Sequence, residues 1–216
     1  MIQALSASSL FQLPIFSPAP PPRDTLRRRR GYNALGDAMP HEVLKKSIVY
    51  DGKKLRLELH QLRDEETGNT HTREIVVHRG AVCILPMLDE QTVLLIRQWR
   101  HSVQQTLVEL PAGTLEKNED PMNCAGRELL EETGYLAGRM VPLGTFFTSP
   151  GILTEKMYAF AALELAQNKQ ALEEGEQIEL APTPWDQAIE MIHDGQIVDG
   201  KTIATLLSYD RFRRKQ

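Results

Sequence analysis

"LPAGTLEKNEDPMNCAGRELLEETGY", Leu110 to Tyr135, decides how the rest of the chain is read. Asp120-Pro121 is a helix-start signature, because an aspartate side chain caps free amides and proline suits the first helical position. Gly134 is a natural stop, since the residue just past a helix often takes the left-handed conformation that glycine reaches without strain. The spacing predicts a helix over Pro121 to Thr133, with Met122, Ala125, Leu129 and Thr133 on its core-facing side. Glu128, Glu131 and Glu132, at i, i+3 and i+4, share another side and must meet one another. Like charges so spaced cost only about 0.2–0.5 kcal/mol per pair on an exposed helix, so the fragment alone is compatible with a plain solvated face.

The residues before the helix change that balance. Gly113 is followed by five residues, Glu119, seven residues, Arg127-Glu128, an aliphatic residue, one more, Glu131-Glu132, one more, Gly134 and the apolar Tyr135. This pattern resembles the Nudix box. Every fixed position is filled, with Tyr135 a tolerated apolar choice at the last, and a chance match is far below about one in a million per starting point.

The chemistry explains the residue types. Hydrolysing a phosphoanhydride brings water to a group that is already negative, and Mg²⁺ neutralises phosphate oxygens and activates the water. Hard cations take oxygen ligands, and Mg²⁺ is typically held by one or two carboxylates plus phosphates and waters. Glu128 and Glu132, one turn apart, can grip such an ion from one helix face. The resemblance implies Glu131 as a further catalytic contact to metal or water, the Ala112 carbonyl as a metal ligand, Gly113 at the substrate, and Mn²⁺ as a substitute ion. Arg127 can pair with Glu131 or with Glu119, bracing the carboxylates, so that Glu119, Arg127 and Gly134 are structural.

Outside the box, "TSPGILTE" puts Pro150 sixteen residues after Gly134. It resembles the ADP-ribose pyrophosphatase group of Nudix hydrolases, although Ser-Pro-Gly is also simply a turn. "IRQWR" is similar to the segment of that group whose arginine reaches substrate phosphates, matching Arg100; a surface arginine at a strand end is the plainer alternative. "TREIVVHRGAV" resembles the strand before the core sheet, with Arg73 and Glu74 near the adenosine end. The group also uses a loop glutamate as general base, and "ALEEGEQIEL" offers Glu173, Glu174 and Glu176. Alignment on "QIEL" favours Glu176, and alignment on the acidic cluster favours Glu174.

Composition bounds the remainder. The 216 residues, 41% hydrophobic and 25% charged, suit one sizeable core. A net charge of −4 argues against nucleic acid as a partner. Cys83 and Cys124 lack metal or disulfide spacing, which fits a reducing, cytoplasmic setting. No run is long and apolar enough to span a membrane. Residues 1–40 hold six of the thirteen prolines and five arginines against two aspartates. They are expected to be a disordered extension, or the result of a start placed ahead of Met39, in preference to an organellar transit peptide.

From His41 the pattern is structured. "SIVYDGKKLRLELHQL" breaks at Asp51-Gly52, a hairpin signal, and "TREIVVH" follows a polar turn as another strand. "AVCILPML" and "TVLLIRQW" read as central strands of a sheet, "MVPLGTFFT" and "EKMYAFAALEL" as two more. "PWDQAIEMIHDG" and "TIATLLSYDRFRRK" read as helices, and the acidic stretch 166–179 as a loop.

The resemblance covers about His41 to Leu207. It implies a Nudix α/β/α sandwich around a mixed sheet over 80–216, with its box at 113–135. A small N-terminal antiparallel sheet over 41–79 precedes it, exchanged between subunits of a homodimer. The expected activity is Mg²⁺-dependent cleavage of ADP-ribose to AMP and ribose 5-phosphate. ADP-glucose or GDP-mannose is the alternative substrate, because "SPG" and "GQIVDGKT" also resemble such hydrolases. A non-hydrolytic ADP-ribose sensor is the alternative of another class, disfavoured by the intact box.

Overall fold

A computed structural model describes residues 41–172 and 177–212. Ten strands and three helices follow one another as β1 (His41–Asp51), β2 (Leu55–Asp64), β3 (Thr70–His78), β4 (Ala81–Pro86), β5 (Thr92–Arg100), β6 (Gln105–Glu109), β7 (Ala112–Thr114), α1 (Pro121–Thr133), β8 (Tyr135–Phe147), β9 (Lys156–Gln167), β10 (Ile178–Pro184), α2 (Trp185–His193) and α3 (Gly200–Phe212). The reading of residues 1–40 lies outside the described residues.

β1, β2 and β3 form an antiparallel meander. Its first turn falls at the expected Asp51-Gly52, where the Gly52 N–H donates to the Leu55 carbonyl. Its second is organised by Asp64, whose carboxylate accepts from the Glu66 and Thr67 amides. Ile48, Val49 and Tyr50 on β1 are all more than half exposed.

The main body is built on two sheets. A mixed sheet runs β7-β4-β9-β8, with β4 and β9 parallel and the other pairs antiparallel. A second, antiparallel sheet runs β10-β5-β6. The two apolar runs around "DEQ" are therefore both central strands, as expected, but of different sheets. Side chains of a strand alternate between faces, and β4 uses both. Ala81, Cys83 and Leu85 pack with Val93 and Leu95 of β5 and with Trp185, Ala188 and Leu206 of the last two helices. Val82 and Ile84 pack beneath α1 on Cys124, Ala125 and Leu129. Helices thus lie on both faces of the mixed sheet, the sandwich expected from the sequence.

Helix α1 has the predicted bounds. Asp120 accepts hydrogen bonds from the Met122 and Asn123 amides, and Gly134 closes the helix at φ +73°. One expectation is corrected: Met122 is 44% exposed. The buried stripe begins at Cys124 and includes Glu132, because the first turn faces solvent and the sheet is met only from the second turn onward.

The C-terminal end of α1 is unusually well bonded. A helix leaves its last carbonyls without internal partners. Here the Gly134 N–H takes the Leu130 carbonyl, the Ala171 N–H the Glu131 carbonyl, and the Gln170 side-chain amide the Glu132 carbonyl. Among the described residues no helix is long and apolar enough to cross a membrane.

Candidate active site

The box residues converge where α1 passes β7. That strand is only three residues long and is fixed by pairing Cys83 with Ala112 and Val82 with Gly113. Glu132 is 3% exposed, and its Oε2 accepts from the Ala112 N–H at 3.0 Å. At Gly113 an added Cβ would stand 1.8 Å from the Glu128 carboxyl carbon, so the Glu128 carboxylate lies directly on the glycine backbone. Two carboxylates one helical turn apart are thus aimed at two successive residues of one strand. Any side chain at 113 would occupy the place of one of them.

Arg127 organises the acids around it. Its Nε and Nη2 bond both oxygens of Glu119, each at 3.0 Å, a planar two-point pairing that only arginine offers. Its Nη1 donates to Glu128 at 2.8 Å and to Glu131 at 2.9 Å. Both alternatives foreseen for this arginine are realised together. Glu119 also accepts from the Glu116 N–H. The Arg127 guanidinium, against the opposing effect of desolvation, holds the Glu119 pKa down at about 2. Glu119 in turn pushes the Arg127 pKa up, keeping the brace charged.

Two cavities open beside this cluster and share Arg100 and the strand Ala112–Thr114. The smaller, about 260 Å³, reaches Arg127, Glu128 and Glu132. The larger, about 650 Å³, extends to Phe146, Phe147, Glu155 and Lys201. Arg100 enters both while its guanidinium makes two bonds, at 2.9 and 2.6 Å, to the carboxylate of Glu109. Glu109 is 1% exposed and is shared with Lys201, which also meets Asp199 at 2.9 Å. Burial pushes the Glu109 pKa up, but hydrogen bonding to Arg100 and the charge of Lys201 together outweigh it and hold the carboxyl below its ordinary value. Sequence reasoning missed Glu109, Asp199 and Lys201 as parts of the site. The available signal was a glutamate closing the apolar run "TLVEL", since a buried carboxylate demands a cation.

Arg73, Glu74 and Pro150 lie elsewhere. Arg73 and Glu74 are exposed on β3, opposite His60 and Leu59. Pro150 is exposed in the turn after β8, which is tied to β3 by hydrogen bonds between Val76 and residues Ile152 and Thr154. None of the three lines either cavity. Glu173, Glu174 and Glu176 lie outside the described residues.

Residues 77–206 match the NUDIX domain family, a span that contains the whole cluster. The chain belongs to the NUDIX family. Among similar sequences, the ADP-ribose pyrophosphatase of Bacillus subtilis is 35% identical over 76% of this chain and 90% of its own length. The methanol dehydrogenase activator of Bacillus methanolicus is 34% identical over 78% of this chain and 92% of its own. The GDP-mannose pyrophosphatase of Escherichia coli is 39% identical over 64% of this chain and 77% of its own. The crystal structure of an ADP compounds hydrolase superposes with a TM-score of 0.73, covering 82% of this chain and 96% of that one at 20% identity. The fold is therefore shared across nearly the whole of that structure. The family match and the 35% identical pyrophosphatase together make this chain a NUDIX hydrolase.

Proposed function

We propose that this NUDIX hydrolase cleaves the pyrophosphate of ADP-ribose, giving AMP and ribose 5-phosphate. The observation that carries the reading is the placement of the Glu128 and Glu132 carboxylates against Ala112 and Gly113, on the wall of a cavity that Arg100 also enters. The 35% identity to an ADP-ribose pyrophosphatase over 90% of that protein's length supports the choice of substrate.

The donors fit a hard divalent cation. Among the described residues no group of three or more His, Cys, Asp and Glu side chains is arranged to hold a metal ion by itself. Glu128 and Glu132, with the Ala112 carbonyl, would instead offer a partial set of oxygens, the kind that phosphates and waters complete around Mg²⁺. An Mg²⁺ or Mn²⁺ ion held there would supply neutralisation of phosphate oxygens and a water of lowered pKa. The protein's own residues do the rest. Arg127 keeps Glu128 and Glu131 oriented, and Glu131 steers the water. Arg100 presents its guanidinium to a phosphate, and Gly113 lets the substrate approach the backbone. A loop glutamate, Glu174 or Glu176, takes the proton of the attacking water. The P–O bond to the departing phosphate then breaks, and that phosphate leaves with the bridging oxygen.

Arg73 and Glu74 act at the adenosine end, and Pro150 contacts the substrate from the turn tied to β3. These β3 residues lie away from the cavities of their own chain, which favours a homodimer in which the exposed β1–β3 sheet serves the partner's site. The working compartment is the cytoplasm, which suits two buried free thiols, Cys83 and Cys124.

Incubation with Mg²⁺ and a panel of ADP-ribose, ADP-glucose, GDP-mannose, NADH and deoxynucleoside triphosphates tests the reading. Highest kcat/KM on ADP-ribose supports it. Preference for GDP-mannose shifts the substrate within the same chemistry, in line with the 39% identical relative. Turnover of none of them, with ADP-ribose still bound, makes the protein a sensor.

A further inference from the structure

Arg100 reaches the site by an indirect route. It ends β5, and the exposed turn 101–104 follows. Across the β5–β6 ladder Arg100 faces Gln105, whereas Glu109 faces Ile96. Those two rungs are four residues apart, roughly 13 Å at the rise of a strand. Opposed residues share a face, as do alternate positions along a strand, so Ile96, Gln98, Arg100 and Glu109 lie on one side of the sheet. To meet the Glu109 carboxylate, the Arg100 side chain lies back along its own strand past Gln98, which is buried. An arginine at a strand end otherwise keeps its charged head in the water before it.

The contact also selects an edge of the guanidinium. Arginine can grip an oxyanion at two points by a side edge, Nε with Nη2, or by an end edge, Nη1 with Nη2. Glu109 occupies the side edge, at 2.9 and 2.6 Å. Among the described residues no other acceptor engages this guanidinium, so the end edge is left to the two cavities that Arg100 lines. Glu109 is itself held in place: Lys201 bonds its Oε2 and is set in turn by Asp199 at 2.9 Å. Two cations and two carboxylates balance in this cluster. What Arg100 offers a phosphate is therefore a pair of aimed donors rather than net charge, and such donors work by being fixed in advance.

We propose that Glu109 is a positioning residue of this hydrolase, turning the end edge of Arg100 toward a substrate phosphate and holding it there. The inference rests on the reading that Arg100 meets a phosphate, and adds the group on which that contact depends. Glu109 touches no substrate, so its effect passes wholly through Arg100.

Wild type, Glu109→Gln, Arg100→Ala and the double variant are compared on ADP-ribose with Mg²⁺. Each single substitution is expected to lower kcat/KM by about tenfold or more. The double variant should match Arg100→Ala within about twofold, because Glu109 has no route to the substrate once the guanidinium is gone. Free guanidinium at millimolar concentration should raise turnover by Arg100→Ala, where Glu109 still offers it a seat, and not by the double variant. A merely structural glutamate gives neither result. Losses that multiply, rescue that is equal in both backgrounds, or wild-type activity in either single variant overturn the proposal. In each of those cases turnover of ADP-ribose by the wild type leaves the pyrophosphatase reading standing. Lys201 keeps Asp199 as a partner in Glu109→Gln. Should that variant not fold, Glu109→Asp completes the same cycle, keeping a charge for Lys201 and withdrawing the carboxylate from Arg100 by one methylene. If the wild type turns over no ADP-ribose, that reading has failed, and the Kd of inorganic pyrophosphate with Mg²⁺, measured by calorimetry, replaces kcat/KM. Coupled losses of affinity then support the proposal, and additive losses or no binding overturn it.

Discussion

Glu132 Oε2 accepts a hydrogen bond at 3.0 Å from the Ala112 N–H, joining the last turn of α1 to the short strand β7. The bond fixes one carboxylate oxygen and so aims the other. Glu132→Gln can keep the bond through its amide oxygen but loses the negative charge. Turnover with Mg²⁺ should fall by at least about a hundredfold, since even outer partners of a metal site are worth ten to a hundred. Circular dichroism and Tm should stay near wild type. Unchanged kcat would sink the metal role of Glu132.

Gly113 offers a sterically defined test. An alanine Cβ there would overlap the Glu128 carboxyl group, which is the far end of a flexible side chain rather than fixed backbone. Gly113→Ala should therefore displace Glu128 at little cost to folding. The expected outcome is a weakened Mg²⁺ activation constant and a lower kcat with a Tm within a few degrees of wild type. A variant with normal Mg²⁺ dependence would show that Glu128 does not work from this position.

The brace at Arg127 gives a substitution series. Lysine keeps the charge and loses the fork that holds Glu119 at two points and Glu128 and Glu131 at a third nitrogen. Arg127→Lys should lower both Tm and apparent Mg²⁺ affinity, the latter by about tenfold or more, through acids left free to reorient. Calorimetric Mg²⁺ titration separates the two effects. Equal Mg²⁺ affinity in the variant would reduce Arg127 to a surface ion pair.

Acid stability follows from Glu119. Its folded pKa is depressed from an ordinary 4.5 to about 2 by the Arg127 hydrogen bonds. A depressed carboxylate contributes stability above its unfolded pKa and loses that contribution as pH falls through its folded one. The contribution is thus present at neutral pH and fades between about 4.5 and 2. Glu119→Gln should be about 1–2 kcal/mol less stable at pH 7, with a gap to wild type that narrows below pH 4.5. Urea unfolding at pH 7, 4 and 3 measures it. A gap independent of pH would mean that lost packing, not lost charge, is responsible.

Dimer formation has its own handle. Ile48, Val49 and Tyr50 project from β1 with more than half their surface in water. Ile48→Asp with Tyr50→Lys should give a monomer by sedimentation equilibrium if this sheet is the exchanged element. Activity should fall with dimer content if Arg73 and Glu74 serve a partner's site. An active monomer would separate the sheet from catalysis.

Local signals proved dependable where a residue type has one physical reason to be present. Asp120-Pro121 and Gly134 marked both ends of α1 because capping and positive φ are properties of single residues. The turn at Asp51-Gly52 was readable on the same grounds. β7 and β6 escaped notice because three and five residues carry too little periodicity, and β10 because its prolines hide an edge strand. Met122 was misplaced because helical spacing gives a face without saying which turn first meets the sheet. The Glu109–Lys201 contact spans 92 positions, and nothing local in either residue announces the other.

The bonded end of α1 has a dynamic corollary. Asn168 and Ala171 donate to the Gly134 and Glu131 carbonyls, and Gln170 to Glu132, in the stretch leading toward Glu173–Glu176. That stretch cannot lift away without stripping the terminal carbonyls of the helix that carries the box acids. Its amides should exchange with deuterium at rates close to those of the last turn of α1, as one cooperative opening unit rather than as an independently fraying loop.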